Sequence, residues 1–282
     1  MACEAPAARD VPLARYSIGD VRRQLLERGL VESIGRTTVW RILDADAIRP
    51  WFHRCWLFPR DPDFADHAAP VIDLYLGSWQ GQPLDPRDCV LSTDEKTGVG
   101  ARRPIHPTQP PGPGRPARVE FEYTRHGAFA YFAAWDVRRG TVSGRCEETT
   151  GVAPFLRLVE QVMDREPYRS APRVFWIMDN GPSHRGQTNR RRLAERWPTI
   201  VPVHTPVHAS WLNQVEVYFS ICARKLLTPG DFDSRADLRR SIARFEAYLN
   251  ARPTPFNWRF TRLDLQRLIE RLDPATPFLD AA

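Results

Sequence analysis

Val174-Phe175-Trp176-Ile177-Met178 is an unbroken apolar run that ends on Asp179-Asn180-Gly181-Pro182. A run of this length suits a strand buried on both faces, and Asp-Asn-Gly-Pro is strong turn chemistry. Asp179 then stands at the carboxyl end of the strand, where open α/β sheets place ligand-binding groups. Upstream, Val90, Ser92 and Asp94 alternate with Leu91, Thr93 and Glu95, as in a strand with one polar end. A Pro-rich loop over 104–116 follows, then strand-like runs at Val119 to Thr124, Ala128 to Val137 and Thr141 to Cys146, with Gly127 and Arg139-Gly140 placed as hairpin turns. These three runs predict an antiparallel meander. Helices are predicted around 152–163 and over 184–196, 210–227, 234–250 and 261–272, with a short strand at Ile200 to Val203. The order predicts an α/β fold, a mixed sheet with helices on both faces.

The chain has 282 residues, enough to bury a sizeable core without disulfide staples. No stretch approaches the roughly 18 apolar residues of a membrane span, and Met-Ala-Cys-Glu-Ala-Pro lacks the basic-then-apolar order of a secretory signal. A soluble intracellular protein is expected. Cys3, Cys55, Cys89, Cys146 and Cys222 form no Cys-x-x-Cys pair, and their odd number argues for reduced thiols. A net charge of +6 suggests a polyanionic partner. All the basic residues except Lys96 and Lys225 are Arg, a bias that a GC-rich genome explains as well as phosphate binding does.

The first fifty residues read as two short helices. Ser17-Ile18-Gly19-Asp20 has the layout of a capping box, Ile18, Val21 and Leu25 follow at helical spacing, and Gly29 supplies a left-handed stop. Ser33 can cap a second helix carrying Ile34, Val39, Trp40, Ile42 and Leu43, with Arg36, Thr37, Thr38 and Arg41 on its other faces and Pro50 after it. Such a pair is either a helix-turn-helix, whose second helix can enter a major groove, or a plain helical hairpin. The expected layout is therefore a small helical segment over 1–50 and a connector over 51–88 with one helical candidate, Phe64 to Trp79. An α/β domain over 89–252 and a C-terminal helix and tail over 253–282 complete it.

A third carboxylate joins Asp94 and Asp179. Leu212, Val215, Phe219, Cys222 and Leu226 recur at spacings of three and four, the core-facing stripe of a helix. Glu216 lies at the edge of that stripe, about 40° from Leu212. A carboxylate there is costly unless it is paired, binds a cation or snorkels to water. Singly, Asp179 reads equally well as a turn residue and Asp94 as the exit of a solvated strand. Together, three carboxylates on two strand ends and one helix can converge on hard divalent cations that drive in-line displacement at a phosphodiester. The chain holds no G-x-S-x-G elbow, phosphate loop, dinucleotide fingerprint or His-Glu-x-x-His.

Ser-Thr-Asp94-Glu-Lys-Thr, Ile-Met-Asp179-Asn-Gly-Pro-Ser-His184 and Thr-Pro206-Val-His-Ala-Ser-Trp-Leu212-Asn213-Gln-Val-Glu216 occur in that order, with 36 residues between Asp179 and Glu216. They resemble the three signature blocks of bacterial insertion-sequence transposases in the mariner-like branch of the DDE superfamily. The resemblance covers roughly residues 15 to 272. It implies a ribonuclease-H-like catalytic domain in which Asp94, Asp179 and Glu216 are the catalytic ligands of two magnesium ions, with manganese able to substitute. The implied activity is hydrolysis at transposon ends and transfer of the freed 3′-hydroxyl into target DNA. Its implied partners are double-stranded DNA, both terminal repeats and target, and a second copy of the chain in the active complex. The implied location is the bacterial cytoplasm, at the nucleoid, with no membrane partner. Members usually carry two helix-turn-helix units, and one fits here, so the DNA-binding region is expected to be shortened.

Neighbouring residues have paired readings. Asn180 and His184 either orient the attacking water or a phosphate, or only close the turn and begin the next helix. Asn213 either hydrogen-bonds a metal-holding carboxylate or, more simply, caps its own helix. Lys96, Arg102, Arg103 and Arg185 would neutralise backbone phosphates, while the run Arg190-Arg191-Arg192 fits a solvated helix face equally well. The alternative functions are a DNA-binding protein derived from a transposase that no longer cuts, and a ribonuclease-H-like nuclease acting on other nucleic acid.

Overall fold

The computed structural model describes residues 2–52, 61–179, 193–207 and 209–272. The chain divides into two units, one up to Phe58 and one from Pro59 onward.

In the first unit, α1 (Ile18–Glu27) and α2 (Arg36–Ala45) are the two expected helices. The Ser17 hydroxyl accepts from the Asp20 amide at 3.2 Å and the Asp20 carboxylate from the Ser17 amide at 3.0 Å, closing the capping box. Gly29, at φ +63°, follows α1. The second helix begins later than Ser33 predicts: Gly35 is its N-cap and makes no side-chain cap bond. The helices meet through Tyr16, Val21, Val39 and Leu43, with Ile34 partly buried against them. Trp40 and Ile42, expected on the buried stripe, are exposed, because a helix packed on one neighbour buries only a narrow stripe.

The second unit is built on a five-stranded sheet. Its strands are β1 (Cys89–Pro104), β2 (Tyr123–Asp136), β3 (Thr141–Glu147), β4 (Val174–Met178) and β5 (Ile200–His204). Their order is β3-β2-β1-β4-β5, antiparallel among the first three and parallel from β1 through β4 to β5. The helices are α3 (Phe64–Tyr75), α4 (Val152–Met163), α5 (Gln214–Cys222), α6 (Arg235–Asn250) and α7 (Arg262–Leu272). All five residues of β4 are buried, as the opening run predicts. Strand alternation sorts them: Val174, Trp176 and Met178 face Phe155, Leu158 and Val162 of α4. Phe175 and Ile177 belong with α3, α5 and α6 on the other side. The sheet is therefore mixed and covered on both faces, as the element order predicts.

Three features depart from expectation. The meander is β1-β2-β3, because β1 runs on past Glu95 to Pro104 and pairs with β2, while the runs around 119–124 and 128–137 are not two strands of a hairpin. Gly127, at φ +91°, lies inside β2 where the register against β1 shifts, so it serves a bulge rather than a turn. The β2–β3 turn does fall at Gly140, whose amide donates to the Asp136 carbonyl at 2.8 Å. Second, α3 stops at Tyr75, before Gly77 at φ +86°, and its Phe64, Ala68, Val71, Ile72 and Leu74 lie in the core of the second unit. Residues 64–75 are thus part of the α/β unit and not of a connector. So is α7, which joins the same core through Leu265 and pairs its Arg262 with Asp73 of α3 at 2.7 Å. Third, the helix predicted over 210–227 is broken. A 3₁₀ turn, Ser210–Leu212, precedes α5, and a π-helical turn, Ala223–Leu227, follows it.

Candidate active site

β1 and β4 are parallel neighbours with Ser92 beside Ile177. Asp94 and Asp179 stand two residues beyond that pair, one on each segment. Side chains alternate along a strand, so Asp94 falls on the face that carries Val90, Phe175 and Ile177, the face covered by α5, and the charge of Asp179 acts on it there. The Thr93 hydroxyl donates to the Ile177 carbonyl at 3.2 Å, tying the strands just below the aspartates. Asp179 follows the last residue of β4, and His204 Nδ1, at the end of β5, lies 3.2 Å from its carbonyl oxygen.

Glu216 reaches the same end of the sheet from the first turn of α5. The stripe read from the sequence holds through Cys222: Leu212, Val215, Phe219 and Cys222 are buried, joined by Tyr218, while Leu226, in the π-helical turn, is half-buried. Glu216 itself is exposed, further toward solvent than its place at the stripe's edge suggests. A carboxylate in a first turn also meets the positive end of the helix dipole.

Asn213 links the elements. It occupies the N-cap position of α5, yet its side chain makes no cap bond, against the simpler expectation. Its Nδ2 donates to the Thr93 carbonyl at 3.0 Å and to Asp94 Oδ2 at 3.2 Å, and its Oδ1 accepts from the Ser92 hydroxyl. Ser92 was legible as a face-mate of Asp94, though nothing in the sequence assigns it a partner.

The electrostatics of Asp94 are unusual. Burial is the main influence and pushes its pKa from 3.8 up to about 7. The Glu95 amide, 2.8 Å from Oδ1, opposes this, while the charges of Asp179, Glu95 and Glu216 add to it. Asp94 therefore feels both of its predicted companions. Among the described residues, no cationic side chain forms an ion pair with Asp94, and no three Asp, Glu, His or Cys side chains close around a cation-sized space. The donor set nevertheless suits hard divalent cations: every member is a carboxylate, and a cation would relieve the crowding that raises Asp94.

The remaining predicted residues are dispersed. Lys96 is half-buried and faces α5, where its charge draws down the Cys222 thiol that burial holds up at about 12. Arg102 and Arg103 lie some eight residues beyond Asp94, roughly 26 Å of strand, and are not brought to the carboxylates. The Arg102 guanidinium lies 4.9 Å from the Tyr123 ring centroid, and Arg103 pairs with Asp233 at 2.5 Å. Arg36, Thr37, Thr38 and Arg41 are all exposed on α2. Asn180, His184, Arg185 and the run at 190–192 lie outside the described residues.

Residues 90–239, more than half of the chain, match the profile of the DDE superfamily endonuclease family. No curated protein sequence matches the chain. Among solved structures, the mariner Mos1 paired end complex with Mg is 16% identical at a TM-score of 0.54, covering 95% of this chain and 81% of that one. The Mos1 transposase paired-end complex with left transposon end gives 16%, 0.51, 93% and 78%, and the Mos1 Strand Transfer Complex 16%, 0.51, 93% and 76%. Likeness at this identity concerns fold, and it agrees with a ribonuclease-H-like arrangement of the mixed sheet. No helix among the described residues is long and apolar enough to cross a membrane. By its sequence match and its sheet, the chain belongs to the DDE superfamily of endonucleases.

Proposed function

We propose that the protein is a DNA transposase of the mariner-like, bacterial insertion-sequence kind. In this reading Asp94, Asp179 and Glu216 are its catalytic residues and hold two magnesium ions, or manganese in their place. The observation that supports it is the state of Asp94, raised first by burial and then by the charges of Asp179, Glu95 and Glu216, so that both other signature carboxylates act on it. Bound divalent cations supply Lewis-acid stabilisation of charge on the phosphodiester oxygens and an activated attacking oxygen. The chain's own groups set the geometry: β1 and β4 fix the aspartates in one row, α5 presents Glu216, and Asn213 orients Asp94. Asn180 and His184 are assigned to orienting the attacking water or a phosphate.

The DNA partners in this reading are terminal repeats and target. The α2 residues Arg36, Thr37, Thr38 and Arg41 recognise the ends, while Lys96, Arg102, Arg103 and Arg185 contact phosphates. The Mos1 transposase paired-end complex, which matches in fold, contains a left transposon end, and this supports DNA as the substrate; in this reading the active form is a homodimer.

A supercoiled plasmid carrying the element's own ends tests the reading. The parent is expected to nick it in Mn²⁺ and to join the freed 3′-hydroxyl to target DNA, and Asp179→Asn to do neither. Cleavage surviving in Asp179→Asn contradicts the assignment. The exposed, open position of Glu216 favours one second reading, a DNA-binding protein that no longer cuts. DNA retained in EDTA with no nicking in Mn²⁺ marks that case.

A further inference from the structure

The helix that carries Glu216 begins with amide groups that no preceding turn can satisfy. Asn213 holds the capping position, but its side chain is engaged with Ser92, Thr93 and Asp94. The caps come from elsewhere. The Gln214 amide donates to the Tyr75 hydroxyl of α3 at 3.2 Å, and the Val215 amide to the Ser92 hydroxyl of β1 at 2.8 Å. The Glu216 amide turns back to the Asn213 carbonyl at 3.0 Å. Tyr75 does more than accept one bond, since its hydroxyl also donates to the Leu212 carbonyl at 2.7 Å. It thereby spans the break that extended Asn213, at φ −86° and ψ 105°, opens between the 3₁₀ turn and α5. Burial drives the ionisation of this hydroxyl far up, so it remains a neutral donor.

We propose that Tyr75, with Ser92, is a positioning residue for the carboxylate cluster: by capping α5 from outside, it frees the Asn213 amide to hold Asp94 and sets the turn that presents Glu216. This rests on reading the three carboxylates as a cation site. Asn213 has an ordinary alternative, because an N-cap Asn readily turns its side-chain oxygen to the amides of its own helix. Without the Tyr75 hydroxyl, that alternative draws Nδ2 away from Asp94.

The test compares Tyr75→Phe with Ile72→Val, which removes a methylene from the buried face of the same helix and touches no polar group. Mn²⁺ binding to the full chain, measured by calorimetry without DNA, is expected to weaken about tenfold in Tyr75→Phe and to stay at the parent value in Ile72→Val. Hydrogen exchange at the Gln214 and Val215 amides is expected to quicken in Tyr75→Phe and not in Ile72→Val. Ser92→Ala, which removes the other outside cap, should move both readouts the same way. Parent-like Mn²⁺ affinity in Tyr75→Phe, or an equal loss in Ile72→Val, overturns the proposal. If the parent itself binds no Mn²⁺, the cation reading falls and exchange decides the bracing. Faster exchange at Gln214 than in Ile72→Val upholds it, and equal exchange overturns it.

Discussion

Two acidic residues of the same sheet, Glu147 and Asp94, have opposite surroundings. Glu147 ends β3, buried between Arg157 of α4, 2.6 Å away, and Arg145 on its own strand. The Arg157 hydrogen bonds, with those of Arg145, hold its carboxyl at about 2 against the burial that works to raise it. Asp94 is raised to about 7 by burial, among like charges. One site contains the cations its carboxylate needs, supplied by the chain. At the other, burial and like charges raise Asp94, and among the described residues no cationic side chain forms an ion pair with it, the arrangement expected where the cation comes from solution.

The largest expected effect is on cleavage. Asp94→Asn should reduce Mn²⁺-dependent nicking below detection on a plasmid gel, whereas Glu147→Gln, if it folds, should nick like the parent. Loss in both variants would erase the distinction. Stability should move oppositely. Glu147→Gln leaves two guanidinium groups short of a partner and is expected to cost about 1–3 kcal/mol in denaturant unfolding. Asp94→Asn should raise the Tm measured in EDTA, because it removes a carboxylate that burial, and then neighbouring like charges, disfavour.

The pH dependence sharpens the contrast. Since Asp94 is raised in the folded state, the native protein holds the extra proton between about 4 and about 7, so its contribution to stability is present at low pH and lost as pH rises through that window. The Tm advantage of Asp94→Asn over the parent should therefore grow from pH 4 to 7 and then level off. Glu147 has a lowered pKa, so its stabilisation is present above 4.5 and lost as pH falls toward about 2. The deficit of Glu147→Gln should shrink over that range.

The smallest effect separates tied from untied cations. Among the described residues neither Arg36 nor Arg41 forms an ion pair, while Arg157 is held by Glu147. Replacing Arg36 and Arg41 by Ala should lower the log-log salt slope of DNA binding by about two, and Arg157→Ala should leave it unchanged.

Much of the sheet was legible because period-two and apolar patterns are local. Val174–Met178 announced a buried strand with Asp179 after it, Val90 to Glu95 a strand carrying Asp94, which lies inside β1 and not at its end, and the spacing of Leu212, Val215, Phe219 and Cys222 the buried side of α5. Register is not local. Nothing around Gly127 tells a bulge from a hairpin, because positive φ serves both, and the reach of β1 to Pro104 depends on pairing with β2. Likewise the apolar residues of α3 predict a helix with a buried face but not what buries it, so the segment read as a connector. Asn213 was read as a cap because its own helix is its nearest partner. Its bond to Asp94 requires Ser92 and Tyr75, 121 and 138 residues earlier in the chain, to arrive at the same turn.

The most direct measurement is calorimetric titration of Mn²⁺ into the DNA-free protein near pH 7, repeated in two buffers of different ionisation enthalpy, for the parent and Asp94→Asn. A carboxylate cation site built on Asp94 predicts saturable binding by the parent with release of a fraction of a proton, and loss of both the binding and the proton signal in Asp94→Asn. Equal Mn²⁺ affinity in the two proteins would place the cation elsewhere and contradict the role given to the three carboxylates.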